Sequence, residues 1–140
     1  MYISIVSVIE FTNSVMSVAY LPFKYMSCTY EVYRIGKSAT ANKIDHISTS
    51  LFPKFFEKLY DNDYVILDVN NEDKQFGKAI YDVVRASGES LGLYAILRTS
   101  RGKALGYVCI TKDEGFHDTD IQDVQILASK LSALLSVADN

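Results

Sequence analysis

A chain of 140 residues is long enough to form one domain with its own hydrophobic core. Its composition, 49% hydrophobic and 22% charged, is typical of a compact globular protein and excludes a disordered or fibrous one. The net charge of −3 and the lack of any run of lysines or arginines argue against a nucleic-acid partner.

The first 23 residues are apolar, and their only charged side chain is Glu10. The spacing of the apolar residues predicts a helix from Ile3 to about Ala19, and the many β-branched residues make a strand over Met1–Ile9 the alternative. Pro22 ends either element. Because serines and threonines interrupt the run and no basic segment precedes it, we expect neither a secretion signal nor a membrane anchor.

Strand and helix patterns alternate through the middle of the chain. Alternation of polarity and short apolar runs predict three strands: Tyr25–Ile35, a short one near Ile44–Ile47, and Tyr64–Val69. Apolar residues at helical spacing predict two helices, Phe52–Tyr60 and Phe76–Arg85. Pro53 fits the first turn of the earlier helix.

The last third predicts a β-hairpin followed by a long helix. Leu91–Thr99 and Lys103–Lys112 are the two strands, joined by a turn at Ser100–Gly102. Thr119 and Gln122 match a capping box, which predicts a helix start there. The helix carries more apolar residues than one sheet face can cover, and this surplus indicates an interface.

The order of elements from about Phe52 to Leu135 resembles a GAF domain, the small-molecule-sensing and dimerising module of many signalling proteins. The local matches are the late aspartate of a strand, the lead-in to the central strand, a glycine-led strand and the head of the terminal helix: Asp68, Ala86–Ser90, Leu105–Tyr107, and Phe116, Asp118 and Asp120. The resemblance implies one α+β domain over residues 1–140. It implies a central antiparallel sheet, with the N- and C-terminal helices on one face and crossing helices and loops on the other.

Ligands of GAF domains lie under those crossing segments. The resemblance therefore implies a cofactor- or ligand-binding cavity near Tyr33, Phe55, Asp68, Phe76, Tyr81 and Tyr94. Arg34 or Arg98 would serve as the partner of an anionic group. The alternative is that these side chains form an ordinary aromatic core, because pockets and cores use the same residues. The identity of any cofactor stays unknown.

Several functional signatures of GAF domains are missing from the chain. Asn42 and Lys43 are not followed by the phenylalanine and paired acids of cyclic-nucleotide-binding members. No cysteine stands beside a histidine, as it does in bilin-carrying phytochromes. Cys28 and Cys109 fall within predicted strands, so we interpret them as buried free thiols of a reducing cytosol, with a disulfide or redox pair as the alternative.

The sequence holds no pattern typical of a catalytic or metal site. His46 and His117 each stand alone, and we expect His117 on the surface at the helix start. The acidic stretch Asp68–Asp73 lacks the glycine and the distal glutamate of a calcium loop. No nucleophile elbow, Cys–His pair or phosphate-binding glycine loop is found. We therefore expect neither enzymatic activity nor a metal.

These observations predict a cytoplasmic regulatory or signalling domain without a nucleic-acid or membrane partner. It would bind a small molecule, or contact a second copy or another protein through its terminal helices. Two alternatives stay open. One is a pocket enzyme like the GAF-fold reductase of free methionine sulfoxide, motivated by the two cysteines. The other is a ligand-free scaffold whose pocket is filled by its own side chains.

Overall fold

The computed structural model describes residues 5–12, 25–33, 47–86, 90–112 and 115–139. Within these ranges six strands form one antiparallel sheet in the order β3-β2-β1-β6-β5-β4. The strands are β1 Ile5–Thr12, β2 Tyr25–Tyr33, β3 Ile47–Ser48, β4 Tyr64–Asp68, β5 Leu91–Arg98 and β6 Ala104–Lys112. The helices are α1 Pro53–Asn62, α2 Lys78–Ala86 and α3 Asp118–Asp139. The predicted α+β class is confirmed.

Side chains alternate along each strand and so divide the core between the two faces of the sheet. Tyr94 and Tyr107 belong to the face that packs against α1 and α2, which we call the α1–α2 face. Leu93 and Val108 belong to the opposite face, which packs against α3 and is called the α3 face. The crossing helices and the terminal helix therefore cover opposite faces, as the resemblance implied.

The predicted N-terminal helix is wrong where the structure describes it. Ile5–Thr12 is β1, which lies between β2 and β6, so the strand alternative is the one observed. Val8 and Ile9 point to opposite faces and are both buried. A strand buried on both faces reads as a continuous apolar run, which produces the same sequence signal as a buried helix. Residues 13–19 of the predicted helix lie outside the described ranges.

The start of α3 also differs from the prediction. The helix begins at Asp118, so Thr119 lies inside the first turn and the predicted capping box with Gln122 is wrong. Instead, the His117 N–H donates to the Asp120 carboxylate at 2.8 Å. Asp120 thus makes the back-reaching half of a capping box between His117 and Asp120, two residues earlier than expected.

Two other element boundaries move by a few residues. The second predicted helix does not begin at Phe76, because Lys74–Phe76 form a separate 3₁₀ turn. Gly77 follows with φ of 79°, a conformation that favours glycine, and it separates this turn from α2. The short predicted strand near Ile44–Ile47 is observed as β3, and residues 34–46 lie outside the described ranges.

Candidate functional site

Aromatic rings fill the α1–α2 face, where the resemblance implies a ligand site. The Phe55 ring lies 5.1 Å from both Phe56 and Tyr94, centroid to centroid, in edge-to-face geometry. Tyr107 lies 5.7 Å from Tyr94, and Phe11 lies 5.7 Å from Phe56. We call Phe11, Phe52, Phe55, Phe56, Tyr94 and Tyr107 the aromatic cluster.

The cluster draws its rings from four elements, β1, α1, β5 and β6. Phe55 and Phe56 lie on the buried side of α1, and Phe52 directly precedes this helix, at the helical spacing that the sequence shows. Tyr94 comes from β5, and its ring lies over Gly92 two residues earlier on the same face. A Cβ atom at Gly92 would lie 2.8 Å from the Tyr94 hydroxyl oxygen, so this ring position depends on glycine.

The two tyrosines of the cluster are neutral phenols whose hydroxyl groups hydrogen-bond with sulfur atoms. The Tyr107 hydroxyl donates to Met26 Sδ at 3.6 Å, and the Tyr94 hydroxyl hydrogen-bonds with the Cys109 thiol. Burial raises the pKa of both phenols well above the ordinary value. Neither tyrosine is therefore poised to exchange a proton near neutral pH.

A buried hydroxyl without a partner lies beside the aromatic cluster. Thr111 is on the same face as Tyr107 and Cys109, and it pairs across the sheet with Gly92. The Thr111 Oγ1 atom is buried and has no hydrogen-bond partner among the described residues. Such an atom costs free energy unless a water or ligand satisfies it, so within the described part of this face it is a polar feature that favours a bound group.

A second candidate location is an open depression of about 590 Å³ beside the edge strand β4. Asp68, Phe76 and Tyr81 line it, and acidic side chains of the following turn surround it. The Tyr81 hydroxyl accepts a hydrogen bond from the Asp73 N–H at 2.8 Å. Burial raises the pKa of the Tyr81 phenol, and the nearby carboxylates add to this effect.

Solved structures with the same arrangement of helices and sheet show which fold this is. A biliverdin-bound protein in its far-red absorbing dark state matches with a TM-score of 0.73 and 9% identity, over 99% of this chain and 82% of that chain. The GAF domain of a sensor histidine kinase from Bacillus halodurans matches with a TM-score of 0.70 and 10% identity, over 99% and 85%. The PixJ GAF domain from Thermosynechococcus elongatus matches with a TM-score of 0.68 and 13% identity, over 98% of this chain and 76% of that chain.

The chain has the GAF fold. A comparison with protein-family models found no match, and a comparison with curated proteins found none. At identities of 9% to 13%, the likeness establishes the fold of this GAF-like domain and transfers no binding residue.

The structure divides the predicted site residues of the GAF-like domain into separate groups. Phe55 and Tyr94 contact each other inside the aromatic cluster. Asp68, Phe76 and Tyr81 share the depression beside β4. Tyr33 ends β2, but its side chain lies outside the described part of the structure, as does all of Arg34.

Arg98 is committed to structural contacts and is not available to an anionic ligand. Its guanidinium pairs with the Asp63 carboxylate at 3.1 Å and hydrogen-bonds with the carbonyls of Tyr60 and Gly102. It also stacks over the Tyr60 ring at 4.4 Å. The side chain therefore ties the β5–β6 turn to the segment between α1 and β4.

A groove of about 520 Å³ between β5 and α3 was not predicted from the sequence. Ser129, Ser132 and Ser136 of α3 line it, and the Ser132 hydroxyl accepts a hydrogen bond from the Arg98 N–H at 3.1 Å. These serines recur at helical spacing within the leucine-rich sequence of α3. That spacing is the signal which could have located the groove.

Cys109 of the GAF-like domain is buried, as predicted, whereas Cys28 is only half-buried. Cys28 is on β2 and Cys109 is on β6, with β1 between them. Two strand spacings separate their Cα atoms by at least about 9.5 Å, and the register offsets Cys109 from Cys28 by two further residues along the strands. A disulfide needs about 4.4–6.8 Å, so this sheet cannot accommodate one without rearrangement.

The described ranges contain neither a metal-binding cluster nor a membrane-spanning helix. No group of three or more histidine, cysteine, aspartate or glutamate side chains there could hold a metal ion. His117 is exposed at the start of α3, as expected, and His46 lies outside those ranges. No helix that the structure describes is both long and apolar enough to cross a bilayer.

Proposed function

We propose that this GAF-like domain, formed by residues 1–140, is a cytoplasmic regulatory domain that acts by pairing with a second copy of itself through α3. The observation that carries the proposal is the apolar surface of α3 that faces away from the sheet. Ile126 is 55% exposed and Leu134 is 68% exposed, whereas Val124 and Ala128 on the opposite side are buried.

Exposed apolar residues on one side of a helix favour a helix–helix contact. Ile126 and Leu134 are about two turns apart, and Ala133, seven residues after Ile126, is also exposed. An interface would remove both large side chains from water, which stabilises by about 1.5–3 kcal/mol for each one fully buried. A surface of this kind on a small domain usually marks an interaction site.

The aromatic cluster supports a function that does not depend on a ligand. The rings occupy the α1–α2 face with centroid separations of 5.1–6.5 Å, the packing of a protein interior. This filled face favours a domain that transmits contacts over one that encloses a large chromophore. The distance between Cys28 and Cys109 likewise argues against the reductase alternative.

Sedimentation equilibrium with surface variants tests the proposal. Leu134→Lys should raise the dissociation constant of the α3 contact by about tenfold or more, because an apolar side chain is replaced by a charge at the interface. Leu51→Lys is the matched control, since Leu51 is 59% exposed outside α3. An association constant that Leu134→Lys leaves unchanged would refute α3 pairing.

Small-molecule sensing is the second candidate function, and the unpartnered Thr111 hydroxyl favours it. A ligand with one hydrogen-bonding group beside the aromatic cluster would satisfy this atom. Mass spectrometry of the protein under native conditions, after purification from its host, would detect such a ligand as added mass. The Thr111→Val variant should lose that mass and keep its fold, since valine is close to threonine in shape.

A further inference from the structure

The outer edge of β4 carries backbone groups that nothing in the described ranges satisfies. The Ile96 N–H donates to the Asp63 carbonyl at 2.9 Å, and the Val69 N–H donates to the carbonyl of Ser90, the residue before β5, at 3.0 Å. The odd-numbered residues of β4 therefore direct their N–H and C=O groups towards β5. Because the direction alternates along an antiparallel strand, the even-numbered residues direct their N–H and C=O groups outwards. These residues are Tyr64, Ile66 and Asp68.

Only one of the outward groups has a partner inside the described structure. The Asp68 carbonyl accepts from the Asn71 N–H at 3.1 Å in the following turn. The N–H groups of Tyr64, Ile66 and Asp68 donate no backbone hydrogen bond there, and the carbonyls of Tyr64 and Ile66 accept none. The edge can therefore accept another strand, which is a common mode of association between chains.

Of the features that usually protect a sheet edge, β4 has one, the charged side chain of Asp68 at its end. Proteins shield edges with very short strands, lysine, proline or bulges. The other edge of this sheet, β3, has 2 residues. In contrast β4 has 5 residues with the sequence YVILD, pairs with β5 without a register shift, and exposes 37% of Ile66.

We propose that β4 pairs antiparallel with β4 of a second copy of this chain, around a two-fold axis at Ile66. The proposal goes beyond α3 pairing, because it uses a different surface. In this register Ile66 lies opposite its own counterpart, and Tyr64 lies opposite Asp68. Each outward N–H then meets an outward carbonyl, so the edge is self-complementary, as a two-fold interface requires.

The one charged side chain of β4, Asp68, is compatible with the same register. The two Asp68 carboxylates would lie about 14 Å apart, which exceeds the screening length of about 8 Å at physiological salt. Each carboxylate faces a tyrosine of the other copy instead of a like charge. The open depression lined by Ile66 and Asp68 lies beside the same edge and leaves space for a second strand.

Sedimentation equilibrium with single and double variants separates this interface from the α3 contact. Ile66→Lys should weaken β4 pairing by about tenfold or more, because it removes the apolar cross-strand pair and places like charges opposite each other. It should leave α3-paired dimers. Leu134→Lys should leave β4-paired dimers, the double variant should be monomeric, and Leu51→Lys should behave like the unchanged protein.

Amide hydrogen exchange provides a second readout at residue level. The Ile66 N–H should become at least several-fold slower to exchange as protein concentration rises, since pairing covers it. The Leu67 N–H faces β5 and should be protected at every concentration. An Ile66 exchange rate independent of concentration, or an Ile66→Lys assembly identical to that of the unchanged protein, would overturn the proposal. If only α3 pairing fails, Leu134→Lys has no effect while Ile66→Lys still abolishes assembly.

Discussion

Phe55→Ala tests whether the α1–α2 face is a filled core or an open pocket. Phe55 is fully buried and contacts the rings of Phe56, Tyr94 and Tyr107. Truncating a buried phenylalanine removes its transfer free energy and leaves a cavity, which together cost about 3–5 kcal/mol. Loss of the edge-to-face pairs is part of this cost. For a domain of this size, the change lowers Tm by about 10–20 °C.

Urea unfolding followed by circular dichroism measures the free energy directly, and a thermal scan provides Tm. Phe76→Ala is the matched control, because Phe76 is only half-buried beside the core. The control should lose about 1–2 kcal/mol. A loss below about 1 kcal/mol for Phe55→Ala would refute the reasoning, since a ring lining an open cavity contributes little to stability.

Three further changes test individual contacts. Gly92→Ala should destabilise the fold by about 1–3 kcal/mol in urea unfolding, since the new methyl group would displace the Tyr94 ring. An unchanged free energy of unfolding would contradict the close approach of this ring to Gly92. Arg98→Lys should cost about 1–2 kcal/mol by the same assay, because lysine cannot make the forked contacts; full retention of stability would exclude the tying role. The pKa of the Asp120 carboxyl is lowered by the N–H bond at the start of α3, so its contribution to stability is present above the ordinary aspartate pKa and lost as pH falls through the lowered pKa. In the Asp120→Asn variant, the free energy of unfolding should therefore depend less on pH in the acidic range. An unchanged pH dependence would contradict this.

Local periodicity predicts those elements whose partners are close along the chain. Alternation and helical spacing alone predict the hairpin Leu91–Lys112 and a helix that closely matches α1. β1 could not be assigned in this way, because a central strand has apolar residues on both faces. Its neighbour β6 begins at Ala104, far along the chain, so no local pattern indicates the pairing.

The candidate site was less predictable than the fold. The aromatic residues were predicted, but only the packing of α1 on the sheet shows that Phe55 and Tyr94 contact each other. Asp68 lies apart from them at the end of the edge strand β4. The contacts of Arg98 with Asp63 span 35 positions, and they turn a candidate ligand residue into a structural one. The unpartnered hydroxyl of Thr111 has no sequence signature, because it depends on what surrounds the side chain.

Native mass spectrometry of the protein from its own host tests the central claim most directly, because it reports stoichiometry and bound mass together. The account predicts assemblies of two or more chains with no added mass, since α3 provides an interface and the aromatic cluster fills the α1–α2 face. A monomer that carries an added small-molecule mass on each chain would contradict it and would make ligand sensing the primary function.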